Sequence, residues 1–232
     1  MTDHLPWQPR GTVYGTLLNF WREQALWAPK MTEVPYKAAP KAPVLYVKTA
    51  NTFACDGAAV PVAGEVWASA SLGLVVDGFE SNLAFTHAGQ AQAAIKSIDS
   101  PPIAGCVLLG DLSLPHASYY RPAIRFRNRD GFLPCAPAVT PLRQVDLASL
   151  TIDTRVNGVL VQRQSLSTLV RDAATLLADV SEFMTLQPGD VLMLGNDCLE
   201  GGTRPLARAG DRIEISAPGL APLTHTLVQE AA

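Results

Sequence analysis

Along the chain, short apolar or alternating runs are separated by Gly- and Pro-marked turns, the pattern of a strand-rich protein. "GTVYGTLLNF" (11–20) and "APVLYVKTA" (42–50) are rich in β-branched and aromatic residues, and "IAGCVLLGDLSL" (103–114) predicts a buried strand. "EVWASASLGLVVDG" (65–78) predicts another, on which Ser69 and Ser71, two positions apart, share a face of the sheet. "LTIDTRVNGVLVQR" (150–163) places Asn157-Gly158 between two alternating runs, a hairpin signal. "GDVLML" (189–194) and "GDRIEISA" (210–217) each leave a Gly-Asp turn as a strand.

Helical spacing is clear over one segment. Leu166, Leu169, Val170, Ala173, Leu176, Leu177 and Val180 recur at three and four, with Ser165 or Ser167 as N-cap and Pro188-Gly189 beyond the end. A weaker helix is expected over 87–98, stopped by Pro101-Pro102. Stretches 28–43 and 115–137 read as loops, where binding residues concentrate. The expectation is a strand-rich α+β fold in a single domain over 1–232, with 1–30 as an amino-terminal or lid segment.

Composition changes this picture little. With 232 residues, 48% apolar and 17% charged, the chain has material for a sizeable core. A net charge of −3 without like-charge runs argues against nucleic acid and anionic membranes as partners, and no apolar run approaches the length of a membrane span. Cys55, Cys106, Cys135 and Cys198 lack metal-site spacing and read as reduced thiols of a cytoplasmic protein.

The densest chemistry lies in "GDLSLPHASYYRPAIRFRNRDGFLP" (110–134), which gathers Asp111, His116, Tyr119, Tyr120, Arg121, Arg125, Arg127, Arg129 and Asp130. On an extended segment Arg125, Arg127 and Arg129 would share one face and suit a carboxylate-rich substrate; an exposed edge strand with solvated arginines explains the spacing equally. Asp111 fits a turn cap as well as a site carboxylate. His4, His87 and His225 read as surface or locally bonded histidines, and Trp7, Trp21, Trp27 and Trp67 as packing residues.

"SLPHASYYRPAIRFRNRDGFLP" (113–134), with "PYKAAPKAPVLYVKTANT" (35–52), "VNG" (156–158) and "SEFMTLQPGDVLMLG" (181–195), resembles the fumarylacetoacetate hydrolase family across nearly the whole chain. Within it, the likeness is to the amino-terminal half of bifunctional decarboxylase/isomerases of 4-hydroxyphenylacetate breakdown. The resemblance implies a mixed β-sandwich roll, a divalent Mg or Mn ion, and a small carboxylate substrate of the 2-oxo or 2-hydroxydienoate class. In the family an E-x-E pair and a later Asp hold the metal, which stabilises an enolate as a Lewis acid.

Carried over, the E-x-E falls on Ser69 and Ser71 and the later acid is Asp111. The family's N-x-x-x-H-x-x-E becomes Asn19, Glu23 and Leu26, its lysine before the R-D-G turn is Arg127, its G-T-P is Gly195-Asn196-Asp197, and Lys48 is retained. The resemblance thus assigns Asp111, Lys48 and Arg127 to catalysis, Arg121, Arg125, Tyr120 and Asn19 to substrate binding, and to the metal only Asp111. It implies a subunit acting beside a metal-bearing paralogous partner, binding no metal of its own. Two other readings stay open: a homo-oligomeric enzyme with a relocated metal site among Asp111, Glu65, Glu23 and Asp130, or a scaffold that binds a dicarboxylate without turnover.

Overall fold

A computed structural model describes residues 6–34, 37–77, 102–116 and 124–231. The helix expected over 87–98, His4 and His87, and Tyr119, Tyr120 and Arg121 of the arginine-rich stretch lie outside these residues.

The first sheet is built on two long strands, β5 (Val66–Val76) and β6 (Ile103–Ser113), paired antiparallel along their length. The other edge of β5 is shared by β10 (Val191–Met193) and β11 (Leu206–Ala207). From β10 the sheet continues to β1 (Val13–Leu17) in parallel and then to β2 (Val44–Lys48) in antiparallel pairing. A second sheet runs β4 (Ala59–Val62), β13 (Leu223–Gln229), β12 (Arg212–Ser216), β8 (Thr151–Val156) and β9 (Val159–Ser165). A small pair, β3 (Phe53–Ala54) and β7 (Leu133–Pro134), completes the strands described. The predicted hairpin is present: Val156 pairs with Val159, and Asn157 and Gly158 turn the chain at φ 51° and 80°, the positive values a two-residue turn requires.

Period-2 geometry divides the β5–β6 ribbon into two faces. Ala68, Ala70, Leu72, Leu74, Leu108 and Leu112 form one, all fully buried, each leucine contributing about 1.5–3 kcal/mol. This face meets the second sheet: His225 of β13 lies beside Gly110, where a Cβ would stand 3.3 Å from its Cε1, and Gln164 of β9 donates to the Ala70 carbonyl. Trp67, Ser69, Ser71, Asp111 and Ser113 occupy the other face. The first sheet coils so strongly that β2, at its far end, returns over this face, where Tyr46 and Lys48 reach Asp111. The result is the mixed roll that the resemblance implies.

Three expectations change in the fold. The apolar stripe 166–180 is not one helix: Leu166–Thr168 is a single 3₁₀ turn, and α3 (Ala173–Ser181) starts only after Asp172, whose carboxylate accepts from Thr175 N. The break arises because the intervening backbone docks elsewhere: Leu169 bridges to Phe20, and Val170 and Arg171 donate to Asn19. The loop expected from 28 begins later, because α1 (Trp21–Met31) runs through Pro29. His225 is not a surface residue; it is 1% exposed, and neither ring nitrogen has a hydrogen-bond partner among the described residues. The four cysteines are free thiols.

Candidate functional site

β6 carries Asp111 to the inside of the roll, where it is 1% exposed. Its Oδ1 is 2.8 Å from Lys48 Nζ, and its Oδ2 accepts from Tyr46 Oη (2.5 Å), Asn196 Nδ2 (2.6 Å) and Arg127 (3.1 Å). Lys48 Nζ also donates to the carbonyls of Leu112, Arg127 and Phe132 at 2.8, 2.9 and 3.0 Å. Those carbonyls take up its three protons, so its contact with Oδ1 is chiefly ionic. Burial alone would push the Asp111 carboxyl up; Lys48 and Arg127 outweigh it and bring the pKa down to about 2. Burial lowers the Lys48 amine to about 8 against the pull of Asp111, and burial with Asp111 raises the Tyr46 hydroxyl, which therefore keeps its proton as a donor.

The network extends beyond Asp111. Asn196 accepts from Arg204, and Arg204 pairs with Glu23 in the first turn of α1, whose other carboxylate oxygen accepts from Leu18 N. The Tyr46 ring stacks 4.3 Å from the Arg127 guanidinium, and Trp67 lies 5.9 Å from that of Arg204. His116 is 4.9 Å from both Trp67 and Phe126; its Nδ1 donates to the Leu114 carbonyl, and burial lowers its pKa. Gly15, paired with Tyr46, leaves room for the ring: a Cβ there would stand 2.0 Å from Tyr46 Cζ. Gly15→Ala is expected to displace Tyr46 and cost about 1–3 kcal/mol by overpacking. Urea denaturation measures it, and Tyr46→Ala in the Gly15→Ala background should recover part of the loss.

The arginine-rich stretch is not extended. Ile124–Arg127 forms α2, on which residues two apart point to opposite sides: Arg125 is exposed while Arg127 is 2% exposed. Arg129 leaves in a third direction and grips Glu230 with two 2.7 Å bonds. Asn19 spends its amide on the backbone, donating to Leu194 O and Arg171 O and accepting from Arg171 N. Asp111 is a strand residue within an ion network rather than a turn cap. Tyr46, Asn196 and Arg204 went unassigned from sequence. Asn196 left a trace, as the middle residue of the Gly195-Asn196-Asp197 stretch that stands where the family has G-T-P.

Ser69 pairs directly with Asp111 across the ribbon, and Ser71, two residues on, donates to the Gly195 carbonyl. A hard divalent cation is held by oxygen ligands that include at least one carboxylate free to coordinate it. Here one carboxylate is already held by two buried cations, which the ion would have to displace, so these residues do not fit it. The other acids considered do not converge on Asp111: Glu65 is exposed, Asp130 is exposed and accepts from Asn51, and Glu23 pairs with Arg204. Among the described residues, no three His, Cys, Asp or Glu side chains are grouped to hold a metal, and no helix is long and apolar enough to cross a membrane.

Residues 12–228 match the fumarylacetoacetate (FAA) hydrolase C-terminal family. The chain is 36% identical over 224 residues to the 4-hydroxyphenylacetate degradation bifunctional isomerase/decarboxylase of Escherichia coli, an alignment covering 95% of this chain and 48% of that protein. It lies on that protein's N-terminal half, so the chain spans about half the length of the curated relatives it matches. Among solved structures it superimposes on 5-carboxymethyl-2-hydroxymuconate delta-isomerase from Mycobacterium smegmatis with a TM-score of 0.71 at 22% identity, covering 99% of this chain and 83% of that one. It superimposes on maleylpyruvate hydrolase from Sphingobium sp. SYK-6, in complex with manganese(II) ion and pyruvate, with a TM-score of 0.68 at 20% identity, covering 97% and 72%. These structural likenesses establish the fold.

Proposed function

The chain belongs to the fumarylacetoacetate hydrolase family, and from that premise we propose that it is a subunit of a decarboxylase/isomerase of 4-hydroxyphenylacetate catabolism. It takes part in decarboxylation of an oxopentene-tricarboxylate and isomerisation of the resulting hydroxyheptadiene-dioate. The divalent metal belongs to a paralogous partner. The observation that carries this reading is the state of Asp111, opposite Ser69, with both oxygens held by Lys48, Arg127, Tyr46 and Asn196. The identity to an isomerase/decarboxylase twice as long supports the choice of pathway.

On this reading the chain's own residues bind and orient rather than move protons. Lys48 is pinned by three carbonyls, and Arg127 is tied to Asp111 and stacked on Tyr46. Neither is placed to act as an acid or base, and the segment that carries a His–Glu pair in relatives has Glu23 committed to Arg204.

The test is reconstitution. The purified chain should show no stoichiometric Mg²⁺ or Mn²⁺ binding by calorimetry. Turnover should rise at least about a hundredfold on adding a partner with an intact E-x-E, the scale on which one electrostatic stabiliser alters a rate. Full activity from this chain alone, or tight metal binding to it, would refute the reading.

A further inference from the structure

Two of the free thiols stand on neighbouring strands in matching positions. Cys55 follows β3 and Cys135 follows β7, and the parallel pairing of these strands leads straight to them: Phe53 faces Leu133, Ala54 faces Pro134, and Cys135 N donates to Ala54 O at 2.9 Å. Neighbouring strands lie about 4.8 Å apart, and facing residues of a parallel pair point to the same side. A disulfide joins Cα atoms about 4.4–6.8 Å apart, so Cys55 and Cys135, the next pair along, have the separation and direction of a cross-link. Their thiols interact: burial pushes Cys135 up to about 12, and Cys55 adds to the rise. The remaining cysteines face elsewhere. Cys135 bridges to Leu109 of β6 and so shares the side of Asp111, whereas Cys106 lies with Leu108 and Leu112 on the opposite face, and Cys198 sits beside Arg22 of α1. Cys135 is fully buried, its Sγ donating to Leu133 O at 3.2 Å; Cys55 is only half-buried and within reach of a small solute.

We propose that Cys55 and Cys135 form a reversible oxidation site, closed by a hydroperoxide into an intrachain disulfide that locks β3 to β7 beside Lys48. Cys55, the accessible thiol, attacks the peroxide as its thiolate: its sulfur bonds one oxygen, the O–O bond breaks, and the leaving oxygen takes up the proton the thiol gave. Cys135 then bonds the Cys55 sulfur, and its proton leaves with the hydroxyl of the sulfenic acid as water. The two thiols together lose two electrons, and one hydroperoxide is reduced. The lock bears on the ion network because Lys48 ends β2, the 3₁₀ turn Ala50–Thr52 leads from it into β3, and its Nζ holds the carbonyl of Phe132, the residue before β7. Parting β3 from β7 would draw Lys48 away from Phe132, and the cross-link prevents that movement.

The test treats the intact chain with an equimolar amount of hydrogen peroxide. Thiol titration in urea should fall from four to two, mass spectrometry should find the peptides of Cys55 and Cys135 joined, and dithiothreitol should restore all four. The oxidised chain should melt about 5–10 °C above the reduced one, the gain expected from closing a long loop. Cys55→Ser, at a half-buried position, should keep the circular dichroism of the parent and lose both the cross-link and the shift. A titre that stays at four, thiol loss without a Cys55–Cys135 cross-link, an intrachain disulfide in Cys55→Ser, or an oxidised chain that melts no higher would each overturn the proposal.

Discussion

Replacing Asp111 by alanine is expected to lower the free energy of unfolding by about 3–5 kcal/mol, the cost of removing one partner from a buried ion pair. The carboxylate is the shared partner of Tyr46 and Lys48 on β2, Arg127 on α2 and Asn196 beyond β10. Without it, two cations at most 2% exposed remain side by side. Lys48 still has its three carbonyls but loses the charge that offsets its burial, and with its pKa already down at about 8 it is the group most ready to give up its proton. Asp111→Asn/Lys48→Met removes one charge of each sign and should recover a large part of the loss. Urea denaturation of the two variants decides the point; a single mutant within about 1 kcal/mol of the parent would mean that the pair is solvated and that the network described here does not hold Asp111.

The second large effect is a loss of stability in mild acid caused by His225. Burial lowers its folded pKa to about 4, only weakly opposed by Asp56, whereas the unfolded side chain titrates near its ordinary 6.5. Between these values the unfolded state binds the extra proton, so stability is fully present above pH 6.5 and falls as pH drops towards 4. The difference amounts to roughly 3 kcal/mol at about 1.4 kcal/mol per pH unit. Asp111 acts in a different window: its stabilisation is present above about 3.8 and disappears towards about 2, so it does not obscure the His225 slope. His225→Leu puts a non-titrating side chain beside Gly110 and should flatten the dependence between pH 6.5 and 4.5. Equal slopes for parent and variant in chemical denaturation would assign the acid sensitivity to other groups.

The site was only partly legible in the sequence, and the misses share a cause. The arginine alternation 125, 127, 129 carried the right residue types, but α2 sends Arg125 to solvent, Arg127 inward and Arg129 to Glu230. A four-residue helix is shorter than the periodicity needed to reveal it. Asn19 was assigned to substrate binding, yet its hydrogen bonds go to backbone, joining the entry to α1 to β10 and the approach to α3. Glu23 was weighed as a metal ligand because an acid drew notice there; its partner Arg204 lies 181 residues away. His225 reads from the sequence as a surface or locally bonded histidine, since only the packing of β13 against β6 decides that its face is covered.

What the chain determines locally can be read directly: β5 and β6, the Asn157-Gly158 hairpin, and the placement of Ser69 and Ser71 on one side of their strand. Strand period, turn φ values and side-chain alternation are fixed within a few residues, so they need no knowledge of the rest of the molecule. The chemical state of Asp111 is different in kind. Tyr46 lies 65 residues before it, Arg127 lies 16 after and Asn196 lies 85 after. Only the coiling of the first sheet brings β2 back over β6 and turns one carboxylate into the acceptor for two buried cations. Electrostatic interactions inside a protein depend on distance and burial rather than on order along the chain, and both are set by the closed roll.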